Sequence, residues 1–155
     1  MKKILNICCV IALVICGCKT TTKTPSEQYA ESQKRTLYLV VHQTNPSEKI
    51  AVKELRRLYL GKKGKWDHLV VVKRYDYPPL QKAFYEQVLR MTSSEVTRYW
   101  NYQKFMAGPP RPFIIKRAKD LISILQKEPG GIAYVTSKNI PKNLKIVAEF
   151  EVVRK

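Results

Sequence analysis

The sequence predicts a single α/β domain: a central mixed sheet flanked by helices. Three observations carry that expectation. From about residue 37, short β-branched or apolar runs alternate with stretches whose apolar residues recur at helical spacing. The 155 residues suffice for about one domain. Hydrophobic residues make up 45% and charged residues 26%, enough for one core and too apolar for wholesale disorder.

The first expected strand is Thr36 to His42, rich in valine, leucine and tyrosine. Asn45-Pro46 marks a turn. Val52, Leu55, Leu58 and Tyr59 then recur at helical spacing, with Gly61 as the stop and Gly61 to Lys65 as a basic loop. Leu69 to Val72 is a continuous apolar run, expected as a strand buried on both faces. Pro79 suits the first residue of a helix, and Leu80, Phe84 and Val88 follow at i, i+4 and i+8. Thr92-Ser93-Ser94-Glu95 has capping-box form and opens another helix, with Val96 and Trp100 one turn apart. Gly108-Pro109-Pro110-Arg111-Pro112 breaks the chain. Phe113 to Ile115 is a short extended piece before a helix carrying Leu121, Ile122 and Leu125, which Glu128-Pro129-Gly130-Gly131 ends. Ile132 to Val135 reads as a buried strand. Leu144, Ile146, Ala148, Phe150 and Val152 alternate with mostly polar residues, as on a half-buried strand.

The N-terminus reads as an address. Lys2-Lys3 precedes an apolar run from Ile4 to Ile15, short for a bilayer span and suited to a signal peptide. The run ends in Ile15-Cys16-Gly17-Cys18, which resembles the bacterial lipobox; the alternatives are an ordinary secretory signal or a membrane anchor. The resemblance implies lipidation of Cys18 after removal of residues 1–17. Residues 18–36, Thr-rich and polar, then form a flexible tether, and residues 37–155 form the domain. Lys19 rather than Asp after Cys18 leans toward an outer membrane, where the organism has one. The anchored domain faces the periplasm or the exterior.

Loss of Lys2 and Lys3 lowers the formal charge from +17 to +15. On a cytoplasmic domain that would suggest nucleic acid. Outside the cytoplasm the available polyanions are lipid headgroups and anionic solutes, so no nucleic-acid partner is expected. No basic run exceeds three residues, a pattern that also fits a solvated face.

Several chemistries lack their residues. All four cysteines lie within the first 18 residues, which excludes thiol catalysis and zinc–cysteine sites from the domain. His42 and His68 are the only histidines and read as structural. The sequence has no Gly-rich phosphate loop, no Gly-x-Ser-x-Gly elbow and no His-Glu-x-x-His. Asp67, Asp76 and Asp120 sit in different elements. No enzyme, metal or cofactor is expected.

Five segments in order carry a family resemblance: Glu54-Leu55-Arg56-Arg57-Leu58-Tyr59-Leu60-Gly61-Lys62 with Trp66-Asp67; Val70-Val71-Val72-Lys73-Arg74; Leu80 to Leu89 with Phe84; Tyr99-Trp100 with Phe105, Gly108 and Pro110; and Pro129-Gly130-Gly131-Ile132-Ala133-Tyr134-Val135. Together they resemble the phosphate-binding, periplasmic-binding-protein-like domain family, the solute-binding proteins of phosphate ABC importers and their short single-domain relatives. The resemblance implies one lobe of that fold and an extracytoplasmic binding protein for phosphate or another small oxyanion.

In the family a strand ending in Arg-x-Asp runs into a Gly-Ser-Gly-Thr cradle, whose backbone and hydroxyl donors hold the anion. This chain keeps Arg74 and Asp76 but continues Tyr77-Pro78-Pro79-Leu80. Two prolines remove two backbone donors, so weak phosphate binding or none is expected. Arg74 and Asp76 read as ligand residues or as a structural ion pair or turn. Thr44-Asn45 and Thr136-Ser137, at expected strand ends, read as further ligand candidates or as plain turns. Tyr75, Tyr77 and the proline pair could present a rigid contact surface. The alternative function is therefore an interaction domain that has lost its solute and binds an envelope protein or an anionic surface.

Overall fold

The computed structural model describes residues 34–67 and 70–153. Cys18 and the proposed signal and tether residues up to 33 lie outside them, as do His68 and Leu69.

Among the described residues, five strands form one mixed sheet. They are β1 (Lys34–His42), β2 (Lys73–Asp76), β3 (Phe113–Ile114), β4 (Gly131–Val135) and β5 (Leu144–Val153), in the order β3-β2-β4-β1-β5. β2 runs parallel to β3 and β4, whereas β1 runs antiparallel to β4 and β5. The helices are α1 (Val52–Tyr59), α2 (Pro78–Phe84), α3 (Ser93–Phe105) and α4 (Ala118–Leu125). A π-helical turn, Tyr85–Leu89, extends α2.

Two apolar clusters occupy opposite faces of the sheet. Leu37, Leu39, Val41, Ile132 and Tyr134 meet residues of α1, α2 and α3 on one face. Val40, Ala133 and Val135 meet Leu121 and Leu125 of α4 on the other. This is the expected sheet flanked by helices, and consecutive residues of β1 and β4 alternate between the clusters as strand geometry requires.

Three expectations about the strands are corrected. β1 starts at Lys34, two residues before Thr36, inside the stretch read as tether. The second strand is Lys73–Asp76, not the apolar run before it. Val71 instead forms an isolated antiparallel bridge with Lys65 and stays exposed. The ladder is closed from β4's side: Lys73 N donates to Gly130 O at 2.9 Å. A Cβ on Gly130 would stand 2.1 Å from Val71 O, so only glycine admits this approach.

β5 is not a one-faced strand. Its register to β1 shifts between Leu39 and Val40, which pair with Ala148 and Ile146 and leave Val147 as the extra residue of a bulge. Leu144 and Ile146 therefore join the α4 cluster, while Ala148, Phe150 and Val152 join the other. Val147 is buried, and its carbonyl accepts from Ile50 N at 2.9 Å. Simple alternation of apolar residues conceals such a bulge, because one inserted residue inverts the facing of all that follow.

The helices begin and end largely as their sequences dictate. Leu55, Leu58 and Tyr59 of α1 are buried, but Val52, at its first position, is exposed. The capping box of α3 is formed: Thr92 N donates to Glu95 Oε2 at 2.7 Å and Glu95 N to Thr92 Oγ1 at 3.3 Å. Trp66 and Trp100 belong to the core, and Trp66 Nε1 donates to Gly130 O at 3.1 Å. The aromatic centre of the core is Tyr59, Phe84 and Tyr134, with Phe84 stacked on Tyr134 at 4.1 Å and 10°. It lies directly beneath the turn from β2 into α2.

Candidate functional site

The strand β2, leading into the turn to α2, carries two of the three buried polar or charged residues among the described residues, Arg74 and Asp76; the third is Asn45. Arg74 and Asp76 alternate on β2 and so share one face of the strand. Both are buried, at 6% and 1% exposure. They do not form an ion pair with each other, and each has its own neighbours. Arg74 Nη1 donates to Leu58 O at 3.2 Å and Nη2 to Pro110 O at 2.9 Å, with the guanidinium 5.8 Å from the Trp100 ring centroid. Burial draws its pKa down from the ordinary value; a guanidinium nonetheless stays charged. These two bonds tie the end of α1 to the Pro109-Pro110 loop.

Asp76 is the hub of a hydroxyl–amide network. Oδ2 accepts from Tyr85 OH at 2.6 Å and from Gln81 Nε2 at 3.0 Å, and Oδ1 accepts from Tyr134 OH at 3.1 Å. Burial raises the Asp76 pKa, the three donors lower it, and burial prevails. Burial and the neighbouring carboxylate together push the Tyr85 and Tyr134 phenols far up, so both remain protonated donors. Tyr59 OH, also buried, sits within 3.3 Å of both Tyr75 O and Ile132 O.

The backbone donors at the turn are consumed or missing. Tyr77 N donates to Tyr134 OH at 3.3 Å. Pro78 and Pro79, the first two residues of α2, have no N–H. Leu80 N donates to Tyr77 O at 2.9 Å. The place where the resemblance implies an oxyanion cradle thus holds a saturated carboxylate and no free amide among these four residues. Tyr75 is buried and takes no part in an exposed surface; Tyr77 is half-buried and both prolines are exposed.

The four loop residues proposed as ligands fall on two edges of the sheet. β4 runs parallel to β2, so Thr136-Ser137 emerges at the same edge as Asp76. Ser137 Oγ there accepts from Asn139 N at 3.1 Å, and both residues are exposed. β1 runs antiparallel to β4, which carries Thr44-Asn45 to the opposite edge, away from Arg74 and Asp76. Thr44 is exposed and bonded to the His42 ring; Asn45 is buried and its Oδ1 accepts from Ser47 N at 2.9 Å. The two candidate pairs therefore lie on opposite edges, a separation set by the antiparallel course of β1.

A cavity of about 70 Å³ opens between α2 and α3, lined by Gln81, Tyr85, Ser93, Thr97, Trp100, Asn101 and Arg111 among others. Arg111 is exposed, and its charge counters that of Asp76. No cluster of three metal-ligating side chains occurs among the described residues. Sequence reasoning missed Tyr85, Tyr134, Gln81 and Arg111. One signal was available: Tyr59, Tyr85 and Tyr134 interrupt apolar segments, and a buried phenol needs an acceptor.

Comparison with protein-family models and with curated proteins gives no match. Solved structures do match in fold. One is described as a phosphate ABC transporter substrate-binding protein with bound phosphate, from Clostridium perfringens. It is 15% identical, with a TM-score of 0.59 over 81% of this chain and 51% of that one. Another, described as a phosphate-binding protein from Planctomyces limnophilus, is 13% identical, with a TM-score of 0.53 over 74% of this chain and 41% of that one. The chain spans about half the length of the structures it matches, or less. At these identities the likeness establishes the fold: a mixed α/β domain of the periplasmic-binding-protein-like kind.

Proposed function

We propose that this chain is a non-enzymatic, extracytoplasmic module of the solute-binding-protein fold, lipid-anchored through Cys18, that serves as an interaction domain of the cell envelope. The observation that carries this reading is the closed turn between β2 and α2. Tyr77 N is bonded to Tyr134 OH, two prolines supply no donor, and Asp76 fills the site with a negative charge. An oxyanion there would meet a buried carboxylate instead of amides. The polar cavity beneath Arg111 favours a second reading, in which a phosphate-sized anion binds weakly beside the turn rather than in it.

Isothermal titration of phosphate into the full chain in non-ionic detergent, at low salt and with sulfate as control, separates the two. The interaction reading predicts no saturable, phosphate-selective heat at millimolar ligand. Equal weak heat with both anions, erased by moderate salt, counts as general charge attraction. Saturable phosphate binding that Arg111→Ala abolishes would establish the second reading. Saturable binding retained in Arg111→Ala and lost in Arg74→Lys would restore the site at the turn itself.

A further inference from the structure

The C-terminal end of α3 is built the wrong way round for a helix that only supports a core. Its buried contacts come from Val96 and Trp100. The opposite stripe carries Arg98, Tyr102 and Phe105 at i, i+4 and i+7, and Met106 continues it one turn beyond Tyr102. Phe105 is 86% exposed, and Tyr102 and Met106 are exposed as well. Three large exposed side chains thus fall within one turn of the helix end, where singly scattered ones would be ordinary.

The end is held out by its turn. Gly108 N donates to Gln103 O at 2.8 Å, and Ala107 takes a left-handed conformation, φ 49°. Pro109 then packs against Gly61, close enough that a Cβ there would lie 2.6 Å from Pro109 Cγ. Tyr99 OH anchors the helix from the other side by donating to Leu60 O at 2.7 Å. Phe105 is therefore displayed by a fixed scaffold.

The surroundings are cationic. Arg98 heads the stripe and Lys104 adjoins Phe105 on α3, Arg111 follows the turn, and Lys62 adjoins Gly61. All four are exposed, and none forms an ion pair among the described residues. The one acid of α3, Glu95, is held in the capping box at the far end of the helix. An exposed Tyr–Phe–Met cluster, with cations on its own helix and on the adjoining loops, complements an anionic surface with an apolar interior. None of the described helices is long and apolar enough to cross a membrane, so the contact would be interfacial.

We infer that Tyr102, Phe105 and Met106 insert into the headgroup–acyl boundary of an anionic lipid bilayer, with Arg98, Lys104, Arg111 and Lys62 against the headgroups. This rests on the interaction reading above and names its surface. The side chains would lay the domain on the membrane with the α3 end facing it.

The test places a reporter at the cluster in the full chain. Phe105→Trp is bound to phosphatidylcholine vesicles with and without phosphatidylglycerol, carrying brominated acyl chains. Trp66 and Trp100 are buried, so the parent protein supplies the background. The inference predicts strong quenching of the introduced tryptophan on anionic vesicles, several-fold weaker quenching on neutral ones, and reversal by salt. Phe105→Ser with Met106→Ser should lower affinity for anionic vesicles on the order of tenfold or more without changing the melting temperature. Tyr102→Trp repeats the measurement should Phe105→Trp fail to fold. A vesicle-bound chain whose tryptophan is unquenched, equal quenching on neutral lipid, or no binding to anionic vesicles would each overturn the inference. Self-association through the cluster in place of lipid binding would overturn it too. Saturable phosphate binding would sink the interaction reading and leave the quenching result intact, so the two failures are distinguishable.

Discussion

Replacing Asp76 by alanine removes the common acceptor of Tyr85 OH, Gln81 Nε2 and Tyr134 OH in one step. A hydrogen bond to a charged group contributes about 1.5–3 kcal/mol, and three such bonds would sum well beyond the net effect. Relief of the carboxylate's own burial offsets several kcal/mol of that sum. What remains is the cost of three donors left around a void, about 3–5 kcal/mol. In a domain of this size that corresponds to a fall in melting temperature of roughly 10–25 °C. Thermal unfolding followed by circular dichroism is the assay, with urea titration to check that the transition stays two-state. The conservative Asp76→Asn variant adds a test of sign. Burial holds the folded pKa of Asp76 above its unfolded value, so the folded state binds the proton more tightly. The stability tied to that proton is fully present below the unfolded value, about 4, and is lost as pH rises through the folded value. The margin of the parent protein over Asp76→Asn should therefore be larger at about pH 3 than at about pH 7. A loss below about 1 kcal/mol in Asp76→Ala, or a margin that grows with pH, would refute the account of Asp76 as a buried, saturated hub.

Two further substitutions probe the scaffold around the site. Gly61→Ala forces a side chain into a left-handed conformation, φ 72°, with its Cβ 2.6 Å from Pro109 Cγ and 2.9 Å from Arg74 Nη1. It should cost about 2–4 kcal/mol in urea unfolding and disturb the Arg74–Pro110 bond. Arg90→Gly works in the opposite direction. Arg90 is exposed and closes the π-helical turn at φ 56°, a conformation that glycine adopts without strain, so the variant should gain about 0.5–1 kcal/mol.

How much of this was legible in the sequence depended on the range of the interaction involved. The capping box at Thr92 and Glu95 and the stop at Gly61 follow from local pattern, and each is found. Sequence pattern puts the second strand too early because Lys73, Arg74 and Asp76 look like solvent-facing residues. Their strand is specified by pairing with Gly131 and Ile132, some 58 positions away. The Val147 bulge was hidden for the same reason, since it exists only against β1.

By itself, the sequence determined the class of the fold, the order of its elements and the loss of two amide donors at Pro78 and Pro79. These depend on residue type and spacing, which the chain carries wherever it folds. The tertiary structure decided that Asp76 is buried and bonded to Tyr85, Gln81 and Tyr134, and that Thr44-Asn45 lies across the sheet from it. It also decided that Phe105 points outward. The Asp76–Tyr134 bond and the position of Thr44-Asn45 are relations between segments distant in sequence, set by strand direction and pairing, which local periodicity does not carry.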